Sequence, residues 1–170
     1  WRLHRMHHAD VDFDVTTALR FHPLEMALSM VIKLGAVAIL GPAALAVLIF
    51  EVLLNGTAMF NHGNVSLPPG LDRWLRLVVV TPDMHRVHHS IEAAEYNSNF
   101  GFNLPWWDRL FGSYRAQPAL GHDEMQIGLP NYGGSVCANL IWMLVLPFWS
   151  LDHEPPRTAP RPQGKYHDEG

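Results

Sequence analysis

The sequence predicts an all-α, integral membrane helical protein, with an apolar helical hairpin and a histidine-rich helical cap that faces the cytosol. Three observations carry this expectation. Residues 26–54 are almost wholly apolar and are interrupted near their middle by Gly41-Pro42. Of the eleven histidines, six fall in two H-x-x-H-H clusters that lie outside that stretch. The one short run with strand propensity, residues 78–80, has no evident partner strand.

The composition sets the limits. A chain of 170 residues fits one domain. Lys, Arg, Asp and Glu make up 16% of it, against about 25% in an ordinary soluble domain. The apolar fraction of 48% is ordinary but unevenly spread. A net charge of -4 offers no basic surface for nucleic acid. Cys137 is the single cysteine, which excludes an internal disulfide and a cysteine-based metal site. Any metal must be held by nitrogen and oxygen. The histidine-rich opening at Trp1 has no apolar signal-peptide core. The chain is expected to be the C-terminal part of a longer protein.

Taken in order, residues 1–8 read as a helix and residues 9–22 as polar and irregular, with Asp10, Asp12, Asp14, Thr16 and Thr17. The apolar stretch lacks an amphipathic stripe and is expected to be buried on all sides. As one helix running to residue 60 it would measure roughly 52 Å, too long for a hydrocarbon core of about 30 Å. Gly41-Pro42 breaks it. The two arms, each about 24 Å long, form a hairpin whose ends return to one side of the bilayer. A Leu67-Pro68-Pro69-Gly70 turn leads into a short helix within residues 71–80. Thr81-Pro82-Asp83 looks like a helix start, with Thr81 as the N-cap. Residues 90–105 are polar. Residues 106–111 read as a short amphipathic helix closed by Gly112, and Trp106 and Trp107 suit a membrane interface or a core. Residues 136–149 are apolar but too few to span, so an interfacial or buried helix is expected. The Pro- and charge-rich tail from residue 154 is expected to be disordered.

His4, His7 and His8 form one box; His85, His88 and His89 form the other. Positions i, i+3 and i+4 share one helix face, so the three imidazoles of each box are expected to converge. Neutral imidazole suits iron, zinc, copper and nickel. At this histidine content about 0.05 such triplets would arise by chance. His62, at the end of the hairpin, should lie on the same side as the first box and act as a further ligand rather than a helix cap. His22 reads as a structural cap or as support for a ligand. His122, His153 and His167 lie in polar surroundings and are expected to be exposed. The absence of E-x-x-H argues against a soluble di-iron bundle, and that of H-E-x-x-H against a zinc protease. Asp14, Glu25 and Asp83 could each accept the second N–H of a ligand imidazole or cap a helix, the cap being favoured for Asp83. Asn99 could accept a bond from a metal-bound water or serve a turn. Arg5, Arg20, Arg73, Arg76, Arg86, Arg109 and Arg115 all lie outside the apolar stretch, which places these segments and the histidines on the cytoplasmic side.

The segments HRMHH, RFHPLE, FNHGNV, TPDMHRVHHS and NFGFNLPWWDRLFGSY, in this order, resemble the fatty acid hydroxylase/sterol desaturase superfamily over residues 1 to about 117. The resemblance implies a membrane oxidoreductase of lipid and sterol metabolism that holds two iron ions and draws on O₂ and an external electron donor. Its substrate would be a membrane lipid, hydroxylated or desaturated at a C–H bond. Zinc is a conceivable substitute metal. The ligands carried over are His4, His7, His8, His62, His85, His88 and His89, with Asp14, His22, Glu25 and Asn99 around them. Residues 1–128 would form the hydroxylase-like domain, 129–153 an apolar segment and 154–170 the tail. The superfamily's earlier H-x-x-x-H-type box is not in this sequence, and Ala58 stands where some members carry another histidine. Seven ligands are too few for a complete site, so this chain alone is expected to be inactive. A membrane acyl-chain desaturase is the nearest rival, but HPLE and WWDRLFG favour the hydroxylase group. A metal-binding or metal-transport protein would carry ionisable residues along its spans, where only Lys33 and Glu51 occur. Intact boxes argue against a degenerate homologue with a structural role. Sterol, fatty acyl chain, sphingolipid, alkylglycerol and carotenoid are all compatible substrates.

Overall fold

The computed structural model describes residues 1–130 and 137–148. The described residues are helical, and their β-pairing is confined to an isolated bridge between Ser90 and Ile127. The tail from residue 154, with His153 and His167, lies outside them.

Two long helices dominate, α2 (Pro23–Leu40) and α3 (Ala44–Asn61), of 18 residues each. At 1.5 Å per residue each is about 27 Å long, close to the thickness of a bilayer's hydrocarbon core. The break falls where the sequence places it. Gly41 adopts a left-handed φ of 59° and its N–H returns to the Val37 carbonyl, a conformation that favours glycine. Pro42 then has no N–H to continue the helix. The start of α2 is also well defined: Pro23 occupies the first turn, Glu25 lies near the positive end of the helix, and His22 Nδ1 accepts from the Leu24 N–H.

The expectation of all-round burial needs correcting. The apolar windows of α2 and α3, with mean hydropathies of 1.8 and 1.6, are 0% and 6% buried by the protein itself. The core helix of a soluble protein would be mostly covered. These helices leave Val31, Ile32, Leu34, Ile39, Leu48 and Leu53 exposed, and lipid is the medium that suits such a surface. The one ion pair between the arms joins Lys33 Nζ to Glu51 Oε1 at 2.7 Å. Both residues stand seven positions from the ends of their helices at the hairpin tip, Leu40 and Ala44, so each faces its partner at the same depth.

The remaining elements gather at the open end of the hairpin. Helix α1 covers only Arg5–His8, shorter than the sequence indicates. A 3-10 turn follows over Val15–Leu19 and packs on α3. Asp14 caps it, accepting from the Thr16 N–H, while Thr17 Oγ1 donates to Asp10 Oδ2. Helix α4 (Pro69–Leu75) ends before residues 78–80, which form no strand: the Val80 N–H donates to the Asn103 carbonyl. Helix α5 (Pro82–His88) contacts α3. Thr81 holds the N-cap position of α5 but makes no side-chain cap bond, and Asp83 pairs with Arg86 at 2.8 Å instead of capping. A short α6 (Ala93–Tyr96) lies in the stretch read as polar loop. Helix α7 (Trp106–Phe111) stops at Gly112, with φ 72°. Helix α8 (Leu140–Val145) is continued by a 3-10 turn, Leu146–Phe148. It buries Leu146 against Ala9, Leu129 and Cys137, which backs the first histidine box with apolar packing.

The ion pair between the arms gives a test of the hairpin. Glu51→Leu leaves the Lys33 ammonium unpaired among apolar side chains, at a cost of about 2–3 kcal/mol. Lys33→Leu/Glu51→Leu should recover most of that loss. Detergent-denaturation midpoints of the three proteins measure both effects, and equal midpoints for all three would contradict this packing of the arms.

Candidate metal centre

Three segments converge at the foot of the hairpin: α1, the end of α3 and α5. Each supplies imidazoles, and they fall into two groups. His7, His62, His85 and His89 form one, all buried; His4, His8 and His88 form the other, with His4 half-buried. Within each group the candidate ligand atoms lie within 4.8 Å of one another.

Each H-x-x-H-H box is split between the groups, which corrects the expectation that its three imidazoles converge. His4 and His8 go one way and His7 the other; His85 and His89 go one way and His88 the other. At 3.6 residues per turn, positions i and i+4 are about 40° apart, but i+3 and i+4 diverge by about 100°. One box thus presents a pair to one centre and its remaining histidine to a neighbouring one. The two boxes do so in opposite senses, so each group takes two histidines from one box and one from the other. His62 is the fourth member of the first group. The groups abut: the His8 and His89 rings stack with centroids 4.6 Å apart.

The ring nitrogens face inward. His62 Nε2 lies 3.0 Å from His7 Nε2 and 3.0 Å from His85 Nε2, which in turn is 3.3 Å from His89 Nε2. In the second group His8 Nε2 is 3.1 Å from His88 Nε2. Metal–nitrogen bonds of about 2.0–2.2 Å put neighbouring ligand nitrogens roughly 2.8–3.6 Å apart at angles of about 90–109°. The observed spacings fall in that window.

The tautomers agree with this geometry. His62 Nδ1 donates to the Ala58 carbonyl at 2.6 Å and His88 Nδ1 to the Ser98 carbonyl at 2.8 Å. A neutral imidazole whose Nδ1 carries the proton has a bare lone pair on Nε2. His4 Nδ1 is held by Glu25 Oε1 at 2.7 Å, which reserves its Nε2 in the same way. Among the described residues, the Nδ1 atoms of His8, His85 and His89 are buried without a hydrogen-bond partner.

Electrostatics keep the buried rings neutral. Burial is the largest cause in every case. It holds His7, His8, His85 and His89 well below the ordinary imidazole value, and neighbouring imidazoles push them further down. His62 and His88 are each lowered to about 4, the bonds to Ala58 and Ser98 partly opposing the fall. Aromatic rings close the cluster: Phe21 stacks on His7 at 4.6 Å, Phe13 meets His89 edge-on at 5.1 Å, and Trp1 lies 5.0 Å from His8. A set of neutral, buried, nitrogen-only donors fits a borderline transition metal such as iron or zinc.

The other residues singled out in the sequence sit as follows. Glu25 is the one carboxylate among them that touches an imidazole of the two groups. Asp14 is occupied by Thr16 and does not reach an imidazole. His22 has both nitrogens engaged, Nδ1 with the Leu24 N–H and Nε2 donating to the Leu144 carbonyl, and stands outside both groups. Asn99, at φ 49°, ties a loop together: its Nδ2 donates to the Met84 and Arg115 carbonyls and its Oδ1 accepts from the Arg115 N–H. These bonds give it the turn role. His122 is half-buried near Asp83 and Arg86 rather than exposed. Sequence reasoning missed Phe13, Phe21 and the two orienting carbonyls. The phenylalanines stand alone in an irregular stretch without periodicity, and a carbonyl leaves no trace in residue type.

Fold and site define a class: a membrane-type helical protein with paired, nitrogen-only ligand groups at the foot of an apolar hairpin. The chain belongs to the fatty acid hydroxylase family, whose model matches residues 1–113. It is 29% identical over 148 residues to the ornithine lipid hydroxylase OlsE of Rhizobium tropici, covering 87% of this chain and 42% of that protein. Alkylglycerol monooxygenases of Homo sapiens and Xenopus tropicalis are 27% and 31% identical, over 69% and 67% of this chain and 25% and 24% of theirs. The chain thus spans less than half the length of these relatives. No solved structure matches it.

The depressed imidazoles predict a direction for acid sensitivity. Unfolded, these histidines bind protons near the ordinary value of 6.5; folded, His62 and His88 do so only near 4, and His7, His8, His85 and His89 are also held well below the ordinary value. Between those values the unfolded chain binds more protons, so stability is full above the unfolded value and falls as pH drops. Thermal unfolding of the metal-free protein followed from neutral pH downward should show this loss. A flat or rising profile would contradict the buried, neutral state of the rings.

Proposed function

We propose that this chain supplies seven nitrogen ligands to a di-iron centre that hydroxylates a C–H bond of a membrane lipid, with O₂ and an external electron donor. The observation that carries the reading is the pair of abutting imidazole groups at the foot of a hairpin whose apolar surface the protein leaves uncovered. Family membership supports it. The named relatives are a hydroxylase of ornithine lipid and monooxygenases of alkylglycerol, which favours hydroxylation of a polar lipid over desaturation.

His7, His62, His85 and His89 would hold one iron, and His4, His8 and His88 the other. When bound, the irons supply the electrons and open positions that activate O₂ toward an unactivated C–H bond. The protein's own contributions are legible. The Ala58 and Ser98 carbonyls fix which nitrogen of His62 and His88 carries the proton. Glu25 fixes His4 and, by accepting its N–H, raises the basicity of the opposite nitrogen. Phe13 and Phe21 keep water from the rings. The hairpin places the site beside the acyl chains from which the substrate would come. The three-histidine group has room for ligands from outside this sequence, so this chain by itself would be inactive. Zinc would fit the same donors but, lacking redox chemistry, would give an inactive protein. The arginines outside the spans support a site on the cytoplasmic side.

In the full-length, iron-loaded protein, His88→Ala should abolish lipid hydroxylation and lower bound iron; an active variant would sink the ligand assignment. His89→Ala and His4→Ala should each remove about one of two metal equivalents, read by elemental analysis. Glu25→Gln should reduce metal affinity or turnover by about 10- to 100-fold while the fold is kept, and wild-type behaviour would remove Glu25 from the account.

A further inference from the structure

The aromatic face formed by α4 and α7 is a surface that the metal centre does not use. On α7, Trp106, Leu110, Trp107 and Phe111 fall within an arc of about 140°. All four are exposed, Phe111 to 77% and Trp107 to 57%. Asp108, outside that arc, is the buried residue of the helix. It fixes α7 to the preceding loop by accepting from the Phe100 and Gly101 N–H groups and from Ser113 Oγ. At Gly101 an added Cβ would lie 2.8 Å from the Leu104 carbonyl oxygen, so the loop can approach this closely only with glycine there. The apolar arc is thereby held outward rather than folded in.

Helix α4 continues the same surface. Trp74 is 71% exposed while Asp72 turns inward to Arg76. Side chains of α7 tie it to the residues just after α4: Trp106 Nε1–H donates to the Leu77 carbonyl and Arg109 Nη2 to the Arg76 carbonyl. Solvated protein surfaces rarely expose so many large apolar side chains side by side.

We infer that the α4–α7 face lies in the headgroup region of the bilayer, as an interfacial attachment additional to the hairpin. The inference rests on the membrane reading of α2 and α3. Two observations select lipid as the occupant. The face is continuous with the hairpin's open end, because Asn61, the last residue of α3, donates through Nδ2 to the Phe102 carbonyl in the loop that leads into α7. It therefore sits at the level where the hairpin leaves the hydrocarbon. The composition is also that of an interface: tryptophans over leucine and phenylalanine, flanked by exposed Arg73 and Arg109, whose charge suits anionic headgroups. Such a platform would hold the histidine centre against the membrane and keep it from swinging on the hairpin.

The test places an environment-sensitive fluorophore at Phe111→Cys, and separately at Leu110→Cys, in Cys137→Ser full-length protein reconstituted in phosphatidylcholine–phosphatidylglycerol vesicles. Controls carry it at Ile49→Cys in α3 and at Asp123→Cys on the exposed loop. The expected result is loss of fluorescence at 110 and 111 with nitroxides placed shallow in the lipid, and resistance to aqueous iodide. Label 49 should respond to deep nitroxides and label 123 to iodide alone. Iodide quenching at 110 and 111 with label 49 still lipid-quenched would overturn the inference and leave the hairpin reading standing. Protection at 110 and 111 from both quenchers would mean that protein covers the face, which also overturns it. Iodide quenching at label 49 would instead remove the membrane reading itself.

Discussion

The structure turns on imidazoles packed together with their Nε2 atoms facing one another. His62 cannot donate through Nε2, because its proton is committed to Ala58, yet that atom lies 3.0 Å from two other ring nitrogens. Buried polar atoms normally find partners; with its single lone pair, His62 Nε2 can accept from only one of these nitrogens, and only where that ring carries its proton on Nε2. Protonation would supply one positive charge, but burial and the other imidazoles oppose it. A multivalent cation would engage all these nitrogens at once. The remaining architecture serves to hold these rings where they would otherwise not stay.

That holding is done from three directions. The hairpin returns the chain to the side it left, so that residues 55 positions apart, His7 and His62, meet. Backbone carbonyls at Ala58 and Ser98 and the carboxylate of Glu25 fix ring orientation. Phe13 and Phe21 from the irregular stretch, and Leu146 behind Ala9, supply apolar packing that a polar cluster at a membrane surface would otherwise lack. Glu25 joins two of these roles, since it stands in the first turn of a candidate span and touches a ligand of the three-histidine group. Movement of α2 in the bilayer would be felt directly at His4.

Much of this was legible in the sequence, and the reasons are physical. Gly41-Pro42 in an apolar run announces a hairpin because one residue favours the left-handed cap and the next cannot extend a helix. The two boxes announce a gathering of imidazoles because their spacing brings side chains of successive turns close together. The split of each box between two centres was implicit in the 100° between adjacent residues, but which centre takes which histidine depends on how α1 and α5 face each other. That is tertiary information. The fates of Asp14, His22 and Asn99 were undetermined for a similar reason: each can bond to backbone or to a distant ring, and backbone groups, near in sequence for Asp14 and remote for Asn99 and for Nε2 of His22, took all three. Trp106 and Trp107 were ambiguous because their residue type suits core and interface equally; only their exposure decides.

The central claim is that seven histidines form two adjacent nitrogen-ligated metal groups. X-ray absorption on the iron-loaded full-length protein tests it most directly. The account predicts a shell dominated by nitrogen at about 2.0–2.2 Å, strong outer-shell scattering from imidazole rings, and a metal–metal contribution. A shell dominated by oxygen or sulfur, with little imidazole scattering, would contradict it.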